Sequence, residues 1–587
     1  EASLMRASYK LLAVSVTTAL FGAVQVSMAQ ESSTEMRTDS SGVLEEIIIT
    51  ATKVESSIQD TPIAVTAFSQ DQLDSQLIND TMNLQFNVPN MTMSKQNFTA
   101  NDIRIRGIGS GAIGPAGDTG VGIHINGMYQ TSSRIFEAQF YDTERVEVLR
   151  GPQGSLFGRN TTAGIIKFDT NRPTMDWQGR ASASYGSYNT VTFDGGVGGP
   201  IVADKLAFRV SALYQRRDDW VDNVYDGPSA DGTVSPKKDA MGGFEEKDVR
   251  LQLLMAPSDM VSMLTSVHAR DYEGTSTIFH RAGLTKGSNS VADEPRSQIA
   301  LDEAMDNPQA YKTYGASEHI TLNLGGVTLT SITAYETTSG YSRGDTDGGA
   351  GADYPVNGVA NGFGQSQGNV RDLDQLTQEI RLASDGDGRF KWQVGGLYFD
   401  QRDTTDFYQR AYFLTGAANN PNNWVRLRNK NESWALFGQA SYELAPGFTL
   451  TAGGRYTKDI KETRLVRTAA NAAGVSSYAG RRYVRLKGEE PSWDVSALYE
   501  VNPNVSLYAR VARGFRGPTI QGRSAVFNIG RPETVESLFV LWYYTQDPRW
   551  REMGWNIFTA FETYAATGSG APPPAAAAAP PDGTPIM

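Results

Sequence analysis

The stretch "ERVEVLRGPQGSLFGRNTTAGIIKFDTNRP", residues 144 to 173, sets a Gly-Pro step, three further glycines and several arginines between two runs rich in β-branched residues. Val146 and Val148, with Leu149, alternate with Glu144, Arg145, Glu147 and Arg150, the period-two pattern of a strand with one apolar and one polar face. Gly151-Pro152 and Gly154 then enforce turns, and "AGIIKFDT" resumes a strand. So many charges on one strand face require partners, or else a fully solvated face.

Outward from this stretch, residues 54–175 read as a compact α+β region. "DTPIAVTAFSQDQL" passes from a strand into a short helix, while "DIRIRGIGSG" and "GVGIHINGMY" read as strands broken by glycine loops. From residue 176 the chain becomes a succession of alternating strands, about 13 between 178 and 516, each with an Ala/Leu/Val/Tyr/Phe side and a polar side. Tight turns such as "APSD", "LAPG" and "VNPN" contrast with long polar connections near 220–245, 272–315, 340–370 and 405–430. Short turns at one end, long loops at the other and aromatic residues near strand ends are the pattern of a transmembrane β-barrel, over 176–530. The alternative is a soluble sandwich or propeller.

Composition bounds the function. Among 587 residues, 53 Lys+Arg stand against 65 Asp+Glu, a formal charge of −12, so no basic field favours nucleic acid. There is no cysteine, hence no disulfide and no thiolate metal site, and His124, His268, His280 and His319 show no ligand spacing. No cofactor is expected. Met5, Arg6 and Lys10, the apolar run Leu11 to Val24 and Ser27-Met28-Ala29 read as an export signal over 5–29, with an N-terminal anchor helix as the alternative. Residues 30–44 are Ser/Thr/Glu-rich and read as flexible. The run "EEIIITATK" that follows suits either an extended segment that adds to a partner's sheet edge or an ordinary first strand.

These motifs together resemble the TonB-dependent outer-membrane receptors. "EEIIITATK" is similar to the family's energy-coupling box, which would place it at Glu45, Glu46, Ile47, Ile48, Ile49, Thr50, Ala51 and Thr52. "IRIRGIG" and "VEVLRGPQGSLFGRNTTAGIIKFDTNRP" resemble the plug, and "LTQEIRLAS", "GGRYTKD" and "SLYARVARGFR" resemble barrel strands. The resemblance implies a mainly β fold, with an α+β plug inside a transmembrane antiparallel barrel, and gated uptake of a scarce solute such as a ferric chelate. It also implies an inner-membrane TonB-type energy transducer and outer-membrane lipid as partners, and no chemistry on the substrate. Arg104, Arg106, Glu144, Arg145, Glu147, Arg150 and Arg159 would then hold the plug to the lumen wall. Ser110, Asp118, Thr119, Tyr129 and Arg134 would lie on ligand-facing loops.

The tail follows another grammar. In "RPETVESLFVLWYYTQDPRWREMGWNIFTAFETY", residues 531–564, apolar residues fall at helical spacing on either side of Asp547-Pro548, and a Pro/Ala-rich stretch follows over 565–587. The segment resembles a fragment of the class I α-1,2-mannosidases, in which Glu533 would match a catalytic carboxylate and calcium would be the bound metal. The expectation is a partial barrel joined to a short helical fragment that lacks the second carboxylate an inverting glycosidase needs.

Overall fold

The computed structural model describes residues 48–530 apart from 55, 96–100, 110–116, 131–139, 226–239, 280–294, 302–306, 346–353, 357–358, 362–363, 387, 412–422, 469–482, 503–504 and 522–527. The export signal, Glu45, Glu46, Ile47, Ser110, Arg134, Glu533 and the whole tail lie outside the described residues.

Strands β1 (Ile48–Ile49) and β2 (Ser56–Ser57) form a two-residue antiparallel pair. β3 (Ala64–Ser69) runs into helix α1 (Gln70–Ser75), as the sequence predicts. A capping box starts that helix: the Gln72 amide donates to the Ser69 hydroxyl, and the Ser69 amide donates to the Gln72 side chain. β4 (Met91–Lys95), β5 (Asn101–Ile105) and β6 (Ile108–Gly109) make a small meander. β7 (Val121–Ile125), β8 (Met128–Gln130), β9 (Thr143–Arg150) and β10 (Gly164–Thr170) join β3 in a sheet of order β3-β9-β10-β7-β8.

The stretch that opened the sequence reading is the centre of this sheet. Val146, Val148, Ile166 and Phe168 face one apolar cluster with Leu73, Leu84, Ile103 and Ile105. Leu149 and Ile165 face a second cluster with Leu156, Phe157, Ile49 and Ala51. Both faces of β10 are covered, which is why its Lys167 and Asp169 are buried as deeply as its isoleucines.

Thirteen strands form the wall. They are β11 (Gln178–Gly186), β12 (Thr190–Val202), β13 (Leu206–Arg217), β14 (Phe244–Ser258), β15 (Val261–Thr275), β16 (Pro308–Asn323) and β17 (Val327–Asp345). β18 (Gly364–Ser384), β19 (Phe390–Ala411), β20 (Asn423–Ala445), β21 (Phe448–Thr468), β22 (Tyr483–Asn502) and β23 (Val505–Arg513) complete them. They pair in chain order as one antiparallel meander. In such a meander of thirteen, the first and last strands run the same way. Closing β23 onto β11 in an antiparallel ladder therefore takes an odd number of further strands.

The wall is polar where it is covered and apolar where it is exposed. On β14, Gln252 is 1% exposed while its neighbour Leu253 is 38% exposed; on β22, Asp494 is 3% exposed and Val495 51%. A sandwich core would show the reverse, so the soluble alternative fails and the outer face suits lipid. Exposed aromatics repeat eight residues apart, at Phe390 and Tyr398 on β19 and at Trp434 and Tyr442 on β20. At about 3.4 Å per residue that spacing is about 27 Å along the strand, or about 20 Å of height at a tilt of about 40°, within the roughly 25 Å apolar band between two aromatic girdles. Among the described residues no helix is long and apolar enough to cross a membrane.

The plug is fixed to this wall at the corner before β9. Asp142, fully buried with φ 46°, accepts from Arg209 Nε at 2.7 Å and from Asn171 at 2.9 Å, and it also takes hydrogen bonds from Arg209 Nη2 and Ser211. Arg250 of β14 reaches the Tyr141 and Asp142 carbonyls at 3.3 Å and lies over the Tyr141 ring. Burial pushes the Asp142 carboxyl up, but the hydrogen bonds from Arg209, Ser211 and Asn171 outweigh it and hold it below the usual carboxylate range. This approach requires Gly196 on β12, because a Cβ there would stand 2.3 Å from Asp142 Oδ2. Gly196→Ala should therefore cost about 1–3 kcal/mol, read as a lowered thermal midpoint of the folded protein in detergent, whereas Gly454→Ala, whose Cβ would meet nothing within 4 Å, should not.

Candidate functional site: the seam between plug and wall

Three groups of residues make the seam. The first is a buried charge cluster. Asp118, between β6 and β7, lies 2.5 Å from Lys461 of β21 and 3.7 Å from Arg159, and Arg159 lies 3.3 Å from Asp459 of β21. Arg159 also lies over the rings of Tyr129 and of Phe399 on β19, while Asn160 donates to the Tyr129 hydroxyl at 3.0 Å. Burial raises the Asp118 carboxyl, but the Lys461 ammonium and the Arg159 guanidinium more than offset it and hold it below its ordinary value.

The second group holds the start of the plug. Ile49 and Ala51 are fully buried against Leu149, Ile165, Phe157 and Phe437 of β20. The Thr50 amide donates to Glu147 Oε1 at 2.8 Å, and Lys167 donates to the Thr50 hydroxyl. Gln393 of β19 donates to the Thr52 carbonyl at 3.0 Å. Lys53 donates to both carboxylate oxygens of Glu379 on β18, at 2.7 and 2.5 Å, and lies over the rings of Phe157 and Phe437. Burial lowers the Lys53 ammonium to about 8 in spite of Glu379, with Arg381 and Arg455 adding to the shift.

The third group is the Gly-Pro turn itself. Arg510 of β23 donates to the Pro152 carbonyl at 2.9 Å, and Arg455 of β21 donates to the Leu156 carbonyl at 3.3 Å. Gly154 has no room for a side chain: a Cβ would come within 2.9 Å of Gly514 and Ser492.

The structure redistributes the seven charged residues expected to hold the plug. Arg159 does bridge to the wall. Glu144, Arg145 and Glu147 pair within the plug instead, with Arg145 at 2.6 Å from Glu144, 3.1 Å from Glu147 and 3.4 Å from Asp169. The reason is register: β9 and β10 set Glu147 opposite Lys167 and Arg145 opposite Asp169. Arg104 pairs with Asp102 at 2.8 Å, Arg106 is exposed, and Arg150 is partly buried with its Nε unbonded among the described residues. Of the residues expected on ligand loops, Asp118 is buried in the seam, Tyr129 is half-buried against Phe399, and the Thr119 hydroxyl donates to the Val121 carbonyl at 2.7 Å. Sequence reasoning missed Lys53, Asp142, Glu379 and Lys461. For Lys461 the signal was present: Arg455, Thr457, Asp459 and Lys461 recur at every second position of one strand.

With this geometry, the comparisons can be set out. Residues 57–165 match the family profile for the TonB-dependent receptor plug domain, and residues 265–566 match the TonB dependent receptor-like β-barrel profile, which covers over half of the chain. The chain belongs to the TonB-dependent receptors. It is 22% identical over 475 residues to the pesticin receptor of Yersinia pestis, covering 80% of this chain and 63% of that protein's length. Its fold is similar to the crystal structure of the ferric yersiniabactin uptake receptor of Yersinia pestis, with TM-score 0.64 and 17% identity over 80% of this chain and 67% of that one. A separate short match, 58% identical over 43 residues, is to a mannosyl-oligosaccharide 1,2-alpha-mannosidase of Arabidopsis thaliana, 7% of each chain.

In this receptor the charge cluster makes a testable contribution. The folded-state Asp118 carboxyl titrates below its unfolded value, so its stabilisation is complete above about pH 4 and lost as pH falls through the lowered value. Asp118→Asn leaves Lys461 and Arg159 short of a buried counter-charge and should cost about 3–5 kcal/mol at pH 7. Denaturant melts of both proteins should show that gap narrowing below pH 4.

Proposed function

We propose that this receptor drives energy-coupled uptake of a scarce, bulky solute such as a ferric chelate across the outer membrane. In this reading residues 30–53 form the coupling segment, 54–175 the plug and 176–530 the barrel, with 5–29 as the export signal. Residues 45–52 are the part that an inner-membrane TonB-type transducer captures. Ser110 and Arg134, outside the described residues, remain the candidates for ligand contact, ahead of the buried Asp118 and half-buried Tyr129.

One observation carries the reading. Among the described residues the segment is docked but weakly laddered: Ile48–Ile49 pair with Ser56–Ser57 alone, so little backbone bonding there is lost when it leaves to add as a strand to a partner. What retains it is side-chain contact, Ile49 and Ala51 in an apolar pocket and Lys53 on Glu379 of the wall. Glu379 and Gln375 lie on the same face of β18, and Gln375 donates to the Tyr129 carbonyl at 2.7 Å, so one strand holds both Lys53 and the end of β8. A solute that shifts Tyr129 would act on the strand that holds Lys53.

The natural chain has no cysteine, so an Ile49→Cys variant reports exposure of the segment directly. Lys53→Met or Glu379→Gln in that background should raise thiol labelling about tenfold or more, since breaking a buried pair costs several kcal/mol. Labelling that stays at the background rate in both would remove the proposed role of this pair. Uptake of a ferric chelate in a receptor-deficient bacterium, abolished by dissipating the proton-motive force, tests the function itself.

A second reading concerns the tail alone. The 58% match over 43 residues favours descent of a short segment from a 1,2-α-mannosidase, and the resemblance of residues 531–564 would make Glu533 its carboxylate. The barrel profile extends to residue 566 across the same stretch, which favours a barrel origin. A single carboxylate cannot perform the acid and base roles of an inverting glycosidase. The purified chain with calcium should release no mannose from an α-1,2-linked oligosaccharide, assayed beside a complete mannosidase.

A further inference from the structure

Between the coupling segment and the charge cluster lies a closed cavity of about 20 Å³, lined by Lys53, His124, Arg159, Glu379, Ser433 and Arg455 together with apolar rings. Three cations and one carboxylate face it. That carboxylate is already engaged, since Lys53 donates to both oxygens of Glu379. Arg159 shares Asp118 and Asp459 with Lys461, and its Nη2 has no partner. Arg455, 5% exposed, is bonded to neutral acceptors, the Thr457 hydroxyl at 3.0 Å and the Leu156 carbonyl at 3.3 Å. Among the described residues it has no carboxylate at ion-pair distance. Its guanidinium lies on Gly158, where a Cβ would stand 2.8 Å away.

His124 adds an uncharged ring to the lining. Burial, with the charges of Lys53 and Lys167, lowers it to about 3 in spite of a backbone hydrogen bond to Gly127, so the ring is neutral. It is packed edge-on to Phe157 and tilted against Tyr129, which fixes the ring plane beside the cavity.

From the surplus of buried positive charge and the unbonded Arg159 Nη2 around so small a space, we propose that this cavity is a binding site for one chloride-sized monovalent anion. The size excludes sulfate, phosphate or a carboxylate ligand. The charge excludes a metal cation, and a water molecule would satisfy donors while leaving Arg455 with no ion-pair contact and only the charge of Glu379, already bonded to Lys53, to offset it. The anion would bridge the wall (Arg455), the plug turn (Arg159, His124) and the coupling segment (Lys53). Its effect on release of that segment rests on the proposed function; its binding does not.

The test is diffraction at the bromine edge from crystals of the unaltered full chain grown in sodium bromide. An anomalous peak in the cavity beside Arg455 and Arg159 is expected. A peak of water density with no anomalous signal would overturn the site. In solution, the thermal midpoint should be a few degrees higher in chloride than in gluconate at equal ionic strength. That difference should vanish in Arg455→Gln and in Ser433→Asp, the second supplying the negative charge covalently so that the fold is kept. An equal midpoint in both salts for the unaltered chain would count against the proposal in the same way.

Discussion

Nearly every feature of this receptor follows from a sheet whose covered face is polar and whose exposed face is apolar. In water such a wall is unstable on both sides, because lipid-facing residues such as Leu253 and Val495 are solvated while Gln252 and Asp494 are buried. Lipid outside resolves the first conflict and a polar plug inside resolves the second. The plug is built unlike an ordinary domain: its central strands carry Arg145, Glu147, Lys167 and Asp169 into the interior, where they neutralise one another across β9 and β10.

The seam sorts its charges by task. Asp142 is held by fixed, multiply bonded partners at a corner where even a methyl group on the wall would not fit, so that corner behaves as an anchor. The Lys53–Glu379 pair is a single contact between long side chains, supported by aromatic faces, and it retains a segment whose ladder is two residues long. Contacts of the first kind resist displacement. Contacts of the second kind can be exchanged, and the chain places them where movement would be useful.

Much of this was written in local pattern. Period-two alternation, turn residues and loop asymmetry marked the wall and its thirteen strands, and the Gly-Pro stretch with its flanking strands marked the plug, because each depends on neighbours a few residues apart. The pairing of Glu147 with Lys167 was also within reach, since the two face each other across adjacent strands joined by a short excursion. Asp118 and Tyr129 looked like open loop residues because polarity in a glycine-rich connection reads as exposure, whatever later covers it.

By itself, then, the sequence determined the class of fold and the alternation of polar and apolar faces along the strands of the wall. Only the tertiary structure decided which charge meets which. Lys53 finds Glu379, Arg159 finds Asp459 and Asp142 finds Arg209 across separations of 326, 300 and 67 residues. The physical reason is that alternation fixes the side of a strand on which a charge stands, whereas its partner depends on the register of a plug inside a wall, and no local pattern carries that register.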